Sequence, residues 1–389
     1  MPGVRFSDST ASVLLDSLRG SAALVVLIGH WRSAFFIDFV HVQNHRALLR
    51  PLYILTGAGH QAVLLFFVLS GYLICGSILQ SWRRDEWSWS RYSTHRLVRL
   101  WIVLLPALAL GFLWDRLGIF LHHAPGLYSG GGDQGLTRDV AHSLAWNDFI
   151  GNALFLQTIA VPPFGSNMAL WTLANEFWYY ALFPLGFCMV RRFMRPPAQT
   201  LACAIVVCAV LILLGRNPYI LPLLPIWLLG ALLHAIPRKA TTFGQRLAAS
   251  VVFAIIFFAT PLTRAIYVVG NLSLDDVLFG LAAFAYLWVL LGAVQTAGNT
   301  AANALSRLSA RFSYTLYAVH TPILIFAVGL TAHDERWEFG LKTCAVAVSV
   351  LALIIVYAWL LGSVTESKTN QVRAWVERRY RTSPLAWLR

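Results

Sequence analysis

Repeated apolar stretches of about 20 residues constrain this chain more than any other feature of its sequence. A helix rises about 1.5 Å per residue, so each such stretch can cross the roughly 30 Å hydrocarbon core of a membrane. We predict helices rather than strands because backbone groups that face lipid must form their hydrogen bonds within their own segment. The composition agrees, since 58% of the 389 residues are hydrophobic and 12% are charged, whereas roughly a quarter of the residues of soluble domains carry charge.

The predicted fold is an all-α, polytopic integral membrane helical bundle of about ten transmembrane helices. The predicted spans are residues 13–36, 60–79, 95–114, 171–190, 199–215, 219–236, 247–261, 277–297, 311–330 and 341–363. We expect these spans to form a single transmembrane domain over residues 1–363, followed by a basic cytoplasmic tail over residues 364–389.

The formal net charge of +13 would indicate a nucleic acid partner only if the basic residues formed a patch. Most of them lie instead in alternate loops between the predicted spans, on the same side as both chain termini. The positive-inside rule therefore predicts that both termini are cytoplasmic, and an even number of spans agrees with this. We expect contacts with membrane lipids and none with nucleic acid.

The five cysteines predict no metal site, because all of them fall inside predicted spans and lack the spacing of metal ligands. They are Cys75, Cys188, Cys203, Cys208 and Cys344. We interpret them as buried apolar side chains.

One long connection, residues 115–170, separates the third and fourth spans. It contains His122 and His123, a glycine-rich turn at residues 130–133, and an apolar run over residues 149–161 that is too short to span a membrane. We predict that this run is a re-entrant or interfacial segment. Because long loops in compact domains are often functional, the connection is a candidate lid or acceptor platform; the alternative is a surface loop with no function.

The first predicted span carries ionisable residues at both ends of its apolar run. Asp16 and Arg19 precede the run, and His30 follows it. Eleven steps of about 100° return to within about 20° of the start, so Arg19 and His30 share one helix face, about 16 Å apart along the axis. Ionisable groups at such depth usually line a cavity or mark a site. Alternatively, Arg19 reaches lipid phosphates and His30 only hydrogen-bonds a neighbouring helix.

The fourth predicted span enters from the outside and carries Asn175 and Glu176 near its start. Glu176 lies about as far below the outer boundary as His30 does on its own helix, so we expect the two side chains to meet. A carboxylate beside an imidazole fixes its tautomer and raises its basicity, which suits a base that activates a hydroxyl. Alternatively, Glu176 forms a structural ion pair with Arg32.

Two arginines, Arg96 and Arg99, open the third span on one side of the helix. With Arg19 at the same end of the membrane, they could receive the phosphates of a nucleotide-type donor such as coenzyme A. Basic residues at this position are also common topology signals that bind lipid head groups.

A polar stripe runs along the ninth span, where Tyr314, Tyr317 and His320 recur every three residues. Such a stripe either lines a cavity or joins helices, and the sequence favours neither. Gly71 in the second span is interpreted as a point of close helix packing.

Together, five blocks resemble the acyltransferase 3 family, polytopic membrane enzymes that acylate sugars, lipids or small molecules. The matching blocks are Arg19 and His30 with ten residues between them, Phe66–Ile74, the paired arginines Arg96 and Arg99, Trp171–Glu176, and Ser313–His320 with Pro322. The chain departs from the family pattern at Phe177, where many members have a second Glu, and at Val319, where many have an aromatic residue. These departures bear on the acceptor more than on the reaction.

The resemblance implies a membrane O-acyltransferase, most often an O-acetyltransferase, in a bacterial-type cytoplasmic (inner) membrane. It implies acetyl-CoA or another acyl-CoA as donor co-substrate, no permanently bound cofactor, and a hydroxyl of a surface polysaccharide or lipid-linked sugar as acceptor. By this resemblance, the donor is held by Arg19, Arg96 and Arg99. His30, oriented by Glu176, deprotonates the acceptor hydroxyl or carries the acyl group transiently. The substrate pathway is lined by Asp16, Asn175, Tyr314, Tyr317 and His320.

Two other functions fit part of the sequence. A small-molecule or lipid acceptor would leave the chemistry unchanged, whereas a transporter or flippase would use the same ionisable residues to line a substrate path. Transporters commonly contain paired halves with broken helices, and no such repeat is apparent in the sequence.

Overall fold

The computed structural model describes residues 10–131, 139–192, 197–215, 217–262, 267–293 and 301–382, and most of these described residues are helical. The helices are α1 (Thr10–Phe35), α2 (Arg46–Thr56), α3 (Gly59–Arg83), α4 (Trp89–Leu121), α5 (Pro125–Ser129), α6 (Trp146–Ala153), α7 (Trp171–Arg192), α8 (Pro197–Leu214), α9 (Ile220–Leu232), α10 (Phe243–Ala259), α11 (Leu274–Leu291), α12 (Ala301–Thr331), α13 (Leu341–Val364) and α14 (Thr369–Thr382). A hairpin of β1 (Tyr267–Val269) and β2 (Leu272–Ser273) precedes α11. The predicted all-α polytopic fold class is confirmed.

A helix coincides with each predicted span. Within the described residues, seven helical segments are long and apolar enough to cross a membrane, and they are Thr10–Phe35, Arg46–Arg83, Trp89–Leu121, Phe243–Leu262, Leu274–Leu291, Leu308–Thr331 and Leu341–Arg379. Helices α7, α8 and α9 fall outside this set, so the count of ten is not confirmed and stays a prediction. The last residues of the eighth predicted span, 294–297, lie outside the described residues.

Helices α1, α3 and α12 form the centre of the bundle. Helix α12 packs against α1, α4 and α13, while α3 packs against α1, α7, α9 and α11. Gly20 lies against Ser309 and His30 lies against His320, so α1 and α12 run side by side in the same direction. We call the face at which α1 begins the N-terminal face and the face at which it ends the opposite face.

Glycines allow the closest approach in the bundle, between α3 and α9. A Cβ on Gly71 would collide with the carbonyl oxygen of Trp227, and a Cβ on Gly230 would collide with that of Val68. Lipid supplies little hydrophobic drive between helices, so such backbone contact, with its dispersion gain, stabilises their association. The interpretation of Gly71 as a packing residue is confirmed.

Two helix-breaking prolines release backbone carbonyls that side chains then satisfy. Pro184 cannot donate to the carbonyl of Tyr180, which accepts a hydrogen bond from the Tyr92 hydroxyl at 2.9 Å. Pro322 likewise leaves the carbonyl of Ala318 to the amide of Asn167 at 2.8 Å. These bonds fix α4 to α7, and the long connection to α12.

The long connection is folded into the opposite face of the bundle. Buried Asp115 accepts hydrogen bonds from the backbone and hydroxyl of Ser166, and fully buried Asn152 bonds the backbone of residues 148, 162 and 164. Helix α6 exposes Trp146 and Ile150, as an interfacial helix does. The apolar run predicted over 149–161 is therefore part helix and part buried loop, the glycine-rich turn beyond residue 131 lies outside the described residues, and the role of the connection as a lid or acceptor platform stays a prediction.

The segment after α13 continues as structure. A 3₁₀ turn over Glu366–Lys368 leads into α14, which packs against α4. His95 near the start of α4 hydrogen-bonds Glu377 of α14 at 2.5 Å. The residues predicted to form a basic tail thus contact the transmembrane helices on the N-terminal face.

Gly230→Ala is expected to destabilise the protein, because the added methyl meets a backbone carbonyl that cannot move without separating α3 from α9; overpacking of this kind costs about 1–3 kcal/mol. The matched control is Gly186→Ala in α7, where a Cβ would have no neighbour within 4 Å. Thermal unfolding in lipid nanodiscs measures both variants. Equal melting temperatures for the two would contradict the packing assigned to Gly230.

Candidate active site

A cavity of about 230 Å³ lies within the bundle between α1, α3, α4, α7 and α12. Six of the residues singled out from the sequence line it, and they are Arg19, Arg96, Arg99, Glu176, Tyr314 and Tyr317. The other walls are largely aromatic and aliphatic, including Phe66, Phe67 and Leu73. The structure therefore brings the predicted arginines and the predicted carboxylate into one chamber.

Arg19 and Arg99 share this chamber with two carboxylates. Glu176 interacts electrostatically with both guanidinium groups and hydrogen-bonds Tyr180. Glu366, which follows α13, also interacts with both, and its carboxylate accepts hydrogen bonds from the backbone and hydroxyl of Thr315. The charges inside the bundle are thereby largely neutralised.

Arg96 has a different environment from the other two arginines. It donates to the Ser77 hydroxyl at 2.7 Å and lies over the rings of Tyr92 and Tyr180. Among the described residues no carboxylate pairs with it, and its buried Nε atom has no hydrogen-bond partner. Arg96 therefore has unused capacity for an anion.

Arg96 also lines a second, polar cavity of about 260 Å³ that lies at the N-terminal face. Arg84 and Arg91 contribute two more cations, and Trp87 contributes an aromatic ring. Hydroxyl and amide groups line it as well, namely Ser77, Gln80, Ser81, Ser88 and Tyr92. Glu86 contributes one carboxylate and His95 an imidazole, so the three arginines outnumber the acidic residue of the described lining. The two cavities meet at Arg96.

His30 pairs with His320, deeper toward the opposite face. The Nδ1 atom of His30 lies 2.8 Å from the Nε2 atom of His320, and the rings stack with centroids 5.0 Å apart. His320 is fully buried. Its ring lies 5.9 Å, between centroids, from the ring of Tyr317, which lines the chamber. The imidazole pair therefore adjoins the chamber on its Tyr317 side.

The hydrogen bonds of His320 define the tautomers of both rings. Its Nδ1 atom faces the carbonyl oxygens of Tyr317 at 2.8 Å and Leu316 at 3.1 Å, which only accept, so Nδ1 carries the proton. When both rings are neutral, Nε2 of His320 then accepts from Nδ1–H of His30. The Nε2 atom of His30 is left with its lone pair, and in the described part of the chain no hydrogen bond reaches it. A lone pair of this kind can take a proton from a hydroxyl.

The predicted pairing of His30 with Glu176 is not what the structure shows. The charge of Glu176 acts on Arg19, Arg99, Tyr314 and Tyr317, whereas His30 contacts His320. Equal predicted depth did not bring the two side chains together, because Glu176 lines the chamber and His30 packs against α12. His320, predicted only as a substrate-pathway residue, is the partner of His30.

The alternative pairing of Glu176 with Arg32 is also wrong. Arg32 lies 3.7 Å from Asp38 and over the Tyr53 ring, and Arg336 lies 3.0 Å from the same carboxylate. This cluster at the opposite face joins the end of α1 to the loop before α13.

The other residues predicted from the sequence either lie in or next to the chamber or hold its helices in place. Asp16 lies 4.0 Å from Arg19. Asn175 is fully buried and donates to the Tyr179 hydroxyl and the Tyr219 carbonyl, so it supports α7 instead of lining the chamber. The Tyr317 hydroxyl accepts from Thr172, whereas the buried Tyr314 hydroxyl has no partner among the described residues.

Sequence reasoning missed Glu366, Tyr180 and Ser77. Glu366 lies within the segment predicted as a separate tail, and its position as the first acidic residue after the last apolar span was the one available signal. Tyr180 follows Glu176 by one helical turn and could have been grouped with it. Nothing in the spacing of Ser77 pointed to Arg96 on the next helix.

Comparisons of the sequence with known proteins find a family and a relative. A family model described as an acyltransferase domain, that of the acyltransferase 3 family, matches residues 13–362. The chain is 25% identical over 384 residues to acyltransferase MdmB of Streptomyces mycarofaciens, and the match covers 91% of this chain and 90% of that protein. No solved structure matches.

Glu366→Ala is expected to lower the melting temperature more than Glu338→Ala, an exposed position at the opposite face. Removal of Glu366 leaves Arg19 and Arg99 with one carboxylate fewer and leaves the hydrogen-bonding groups of Thr315 without their acceptor. Thermal unfolding of the two purified variants gives the melting temperatures to be compared. If they unfold at the same temperature, the residues after α13 are a separate tail and not part of the site.

Proposed function

Because the chain belongs to the acyltransferase 3 family, we propose that it is an O-acetyltransferase that moves the acetyl group of acetyl-CoA to a hydroxyl of a surface polysaccharide or lipid-linked sugar. The family match makes it a membrane acyltransferase. What we propose is the identity of the donor and of the acceptor. One observation carries it: a polar, cationic cavity shares Arg96 with the chamber, and the Tyr317 side of that chamber adjoins a histidine with a free lone pair.

The cavity at the N-terminal face suits the nucleotide end of coenzyme A. Arg84, Arg91 and Arg96 supply guanidinium groups for its phosphates, and Trp87 supplies a ring on which a base can stack. The sequence-based hypothesis assigned the phosphates to Arg19, Arg96 and Arg99. Since Arg19 and Arg99 have carboxylates beside them, Arg96 is the principal phosphate ligand, and the other two arginines line the path of the donor.

The chamber beyond Arg96 suits the pantetheine arm, which is narrow and carries two amides between apolar segments. The unpaired hydroxyl of Tyr314 is available to one such amide. Phe66, Phe67 and Leu73 contact the apolar parts. The thioester then lies toward Tyr317 and the imidazole pair.

The reaction needs one base, which takes a proton from the acceptor hydroxyl and gives it to the leaving thiolate. The Nε2 atom of His30 takes the proton of the acceptor hydroxyl as the hydroxyl oxygen attacks the thioester carbon. The tetrahedral intermediate collapses with cleavage of the carbon–sulfur bond, and the departing thiolate receives the proton from His30. Nε2 of His320 accepts a hydrogen bond from Nδ1–H of His30 throughout and stabilises its transient charge. The same lone pair could instead carry the acetyl group in a covalent intermediate.

The orientation that fits this scheme has the N-terminal face and both termini in the cytoplasm, where acyl-CoA is made, within a bacterial-type inner membrane. The acceptor then arrives from the opposite face. Two rival functions make different predictions: an enzyme for a small-molecule or lipid acceptor cleaves acetyl-CoA equally well, whereas a transporter or flippase leaves the thioester intact.

His30→Ala is expected to lower kcat about 10²- to 10⁴-fold, the usual contribution of a general base. Purified protein in nanodiscs is assayed with radiolabelled acetyl-CoA for thioester cleavage, with water in place of the acceptor hydroxyl. An intact thioester with wild-type protein would contradict the enzymatic function itself, and unchanged cleavage in a His30→Ala protein that still inserts would remove His30 from the mechanism.

His320 is tested as a positioning residue by His320→Leu and His320→Gln. Only glutamine retains an acceptor for Nδ1–H of His30, so we expect leucine to lower kcat on the order of 10- to 100-fold and to move the acid limb of the pH–rate profile to lower pH. Glutamine is expected to retain much of the rate and the profile. Equal losses with an unshifted profile in both variants would mean that His320 is only structural.

Arg96→Ala is expected to raise KM for acetyl-CoA about 10- to 150-fold, the equivalent of a charge-assisted hydrogen bond of about 1.5–3 kcal/mol. S-acetylpantetheine, which lacks the nucleotide, should show no such increase. Arg32→Ala at the opposite face is the control. The same increase in KM with both donors would show that Arg96 does not bind the nucleotide phosphates.

A further inference from the structure

Helix α14 brings one more arginine to the N-terminal face of the bundle. Arg373 lies on α14, which packs against α4. Glu377 follows Arg373 by one helical turn, so both side chains leave the same side of α14. Because Glu377 hydrogen-bonds His95 of α4, the side of α14 that carries Arg373 faces α4. Nothing in the preceding mechanism uses Arg373.

Arg373 lies near the arginines at the start of α4. Its guanidinium group interacts electrostatically with those of Arg96 and Arg99. Arg96 follows His95 directly along α4, and Arg99 lies one turn after His95. The hydrogen bond between His95 and Glu377 therefore brings all three arginines to one region of the contact between α4 and α14.

The positive charge of this region is only partly compensated. Glu377 is the carboxylate that acts on Arg373, and it also serves His95 and Arg91. Among the described residues no carboxylate pairs with Arg96. Like charges close together repel one another, so an anion bound among them would be stabilised by all of them.

Unpaired N–H groups in the same region call for a ligand with acceptor atoms. In the described part of the chain, the buried Nε atoms of Arg96 and Arg373 and the buried Nε1 atom of Trp87 have no hydrogen-bond partner. Arg96 and Trp87 line the cavity at the N-terminal face. Each of the three atoms is a donor, and a buried donor without an acceptor costs about 1–3 kcal/mol.

A diphosphate meets both requirements, because it carries negative charge and several acceptor oxygens. A guanidinium group binds phosphate oxygens through two parallel N–H groups, in a geometry that a single carboxylate partner also uses. Arg96 and Arg373 approach from different helices, so they can contact different oxygens of one diphosphate. A neutral ligand would leave the repulsion between them unchanged.

We propose that Arg96 of α4 and Arg373 of α14 together bind the diphosphate of the donor, so that α14 forms one wall of the donor site. The inference rests on the proposed function, because the diphosphate is that of an acyl-coenzyme A, where it joins the nucleotide to the pantetheine arm. Arg96 lines both the cavity at the N-terminal face and the chamber. A diphosphate held there leaves the nucleotide in the cavity and directs the arm into the chamber.

The segment after α13 thereby acquires two roles in one site. Glu366 interacts with the arginines of the chamber, and Arg373 binds the donor a few residues further along. Since the diphosphate contacts one residue from α4 and one from α14, donor binding also stabilises the contact between these helices.

Isothermal titration calorimetry of the full chain in phosphatidylcholine nanodiscs measures the binding of coenzyme A without acyl transfer. Arg373→Ala is expected to raise the Kd on the order of 10-fold, the equivalent of about 1.4 kcal/mol. Arg373→Lys should raise it less, because lysine keeps the charge and loses the planar fork. The matched control is Arg378→Ala, at an exposed position of α14, with no change expected. An unchanged Kd in Arg373→Ala would overturn the proposal.

Shortened ligands identify the group that Arg373 contacts. Dephospho-coenzyme A lacks the 3′-phosphate and keeps the diphosphate, so Arg373→Ala should weaken its binding by the same factor. If coenzyme A is weakened and dephospho-coenzyme A is not, Arg373 contacts the 3′-phosphate and the diphosphate assignment is wrong. Pantetheine has no phosphate, and an equal loss of pantetheine binding would show that Arg373 only holds α14 in place.

Lipid head groups are the other source of phosphate at the N-terminal face, and nanodiscs with and without phosphatidylglycerol distinguish it from the donor. We expect Arg373→Ala to weaken coenzyme A by the same factor in both lipids. If phosphatidylglycerol weakens coenzyme A binding to the wild-type protein and has no effect on Arg373→Ala, the arginine binds lipid and the proposal is overturned.

Cleavage of acetyl-CoA by the wild-type samples separates this inference from the function on which it rests. Thioester cleavage together with coenzyme A binding that does not depend on Arg373 would overturn the diphosphate site and leave the enzymatic function standing. Binding that depends on Arg373 without thioester cleavage would overturn the acetyltransferase and leave the diphosphate site. We expect both thioester cleavage and binding that depends on Arg373.

Discussion

Guanidinium groups inside an apolar bundle require anionic partners, and this requirement organises the chamber. Arg19 and Arg99 lie among helices whose outer surfaces face lipid, where an unpaired charge costs several kcal/mol. Glu176 from α7 and Glu366 from beyond α13 supply the compensating charges. Charges from four separate parts of the chain thereby interact with one another, and Arg96, which has no carboxylate partner in the described chain, keeps capacity for a ligand.

The imidazole pair is held by a directional hydrogen bond and not by opposite charges. His30 and His320 lie on two parallel helices, and their bond is directional because the carbonyls of Tyr317 and Leu316 determine where the proton of His320 resides. A hydrogen bond near Pro322 belongs to the same arrangement: the side-chain amide of Asn167, in the long connection, donates to the carbonyl of Ala318 and fixes α12 close to the pair. A neutral ring thus supports His30 where a carboxylate was expected, and the carboxylate serves the arginines.

Hydropathy predicted the helices well because each span must satisfy its own backbone whatever its neighbours are. It predicted their ends less well: α4 begins at Trp89 and ends at Leu121, well beyond residues 95–114, because the cap of Ser88 and the turn at His122 lie outside the apolar run. The amphipathic helix α2 and the docked α14 were not predicted, since neither carries a long apolar run. Arg19 and His30 were correctly identified as sharing one helix face, which follows from helical periodicity alone.

The sequence by itself determined that this is a helical membrane protein of the acyltransferase 3 family and which ionisable side chains lie within its spans, because hydropathy and periodicity are properties of single segments. Only the tertiary structure decided which of those side chains meet. The pairing of His30 with His320 and the electrostatic interaction of Glu176 and Glu366 with both Arg19 and Arg99 depend on the rotation and depth of each helix against its neighbours. Those quantities are set by contacts between residues far apart in the chain, such as Gly71 against Trp227, and no local pattern records them.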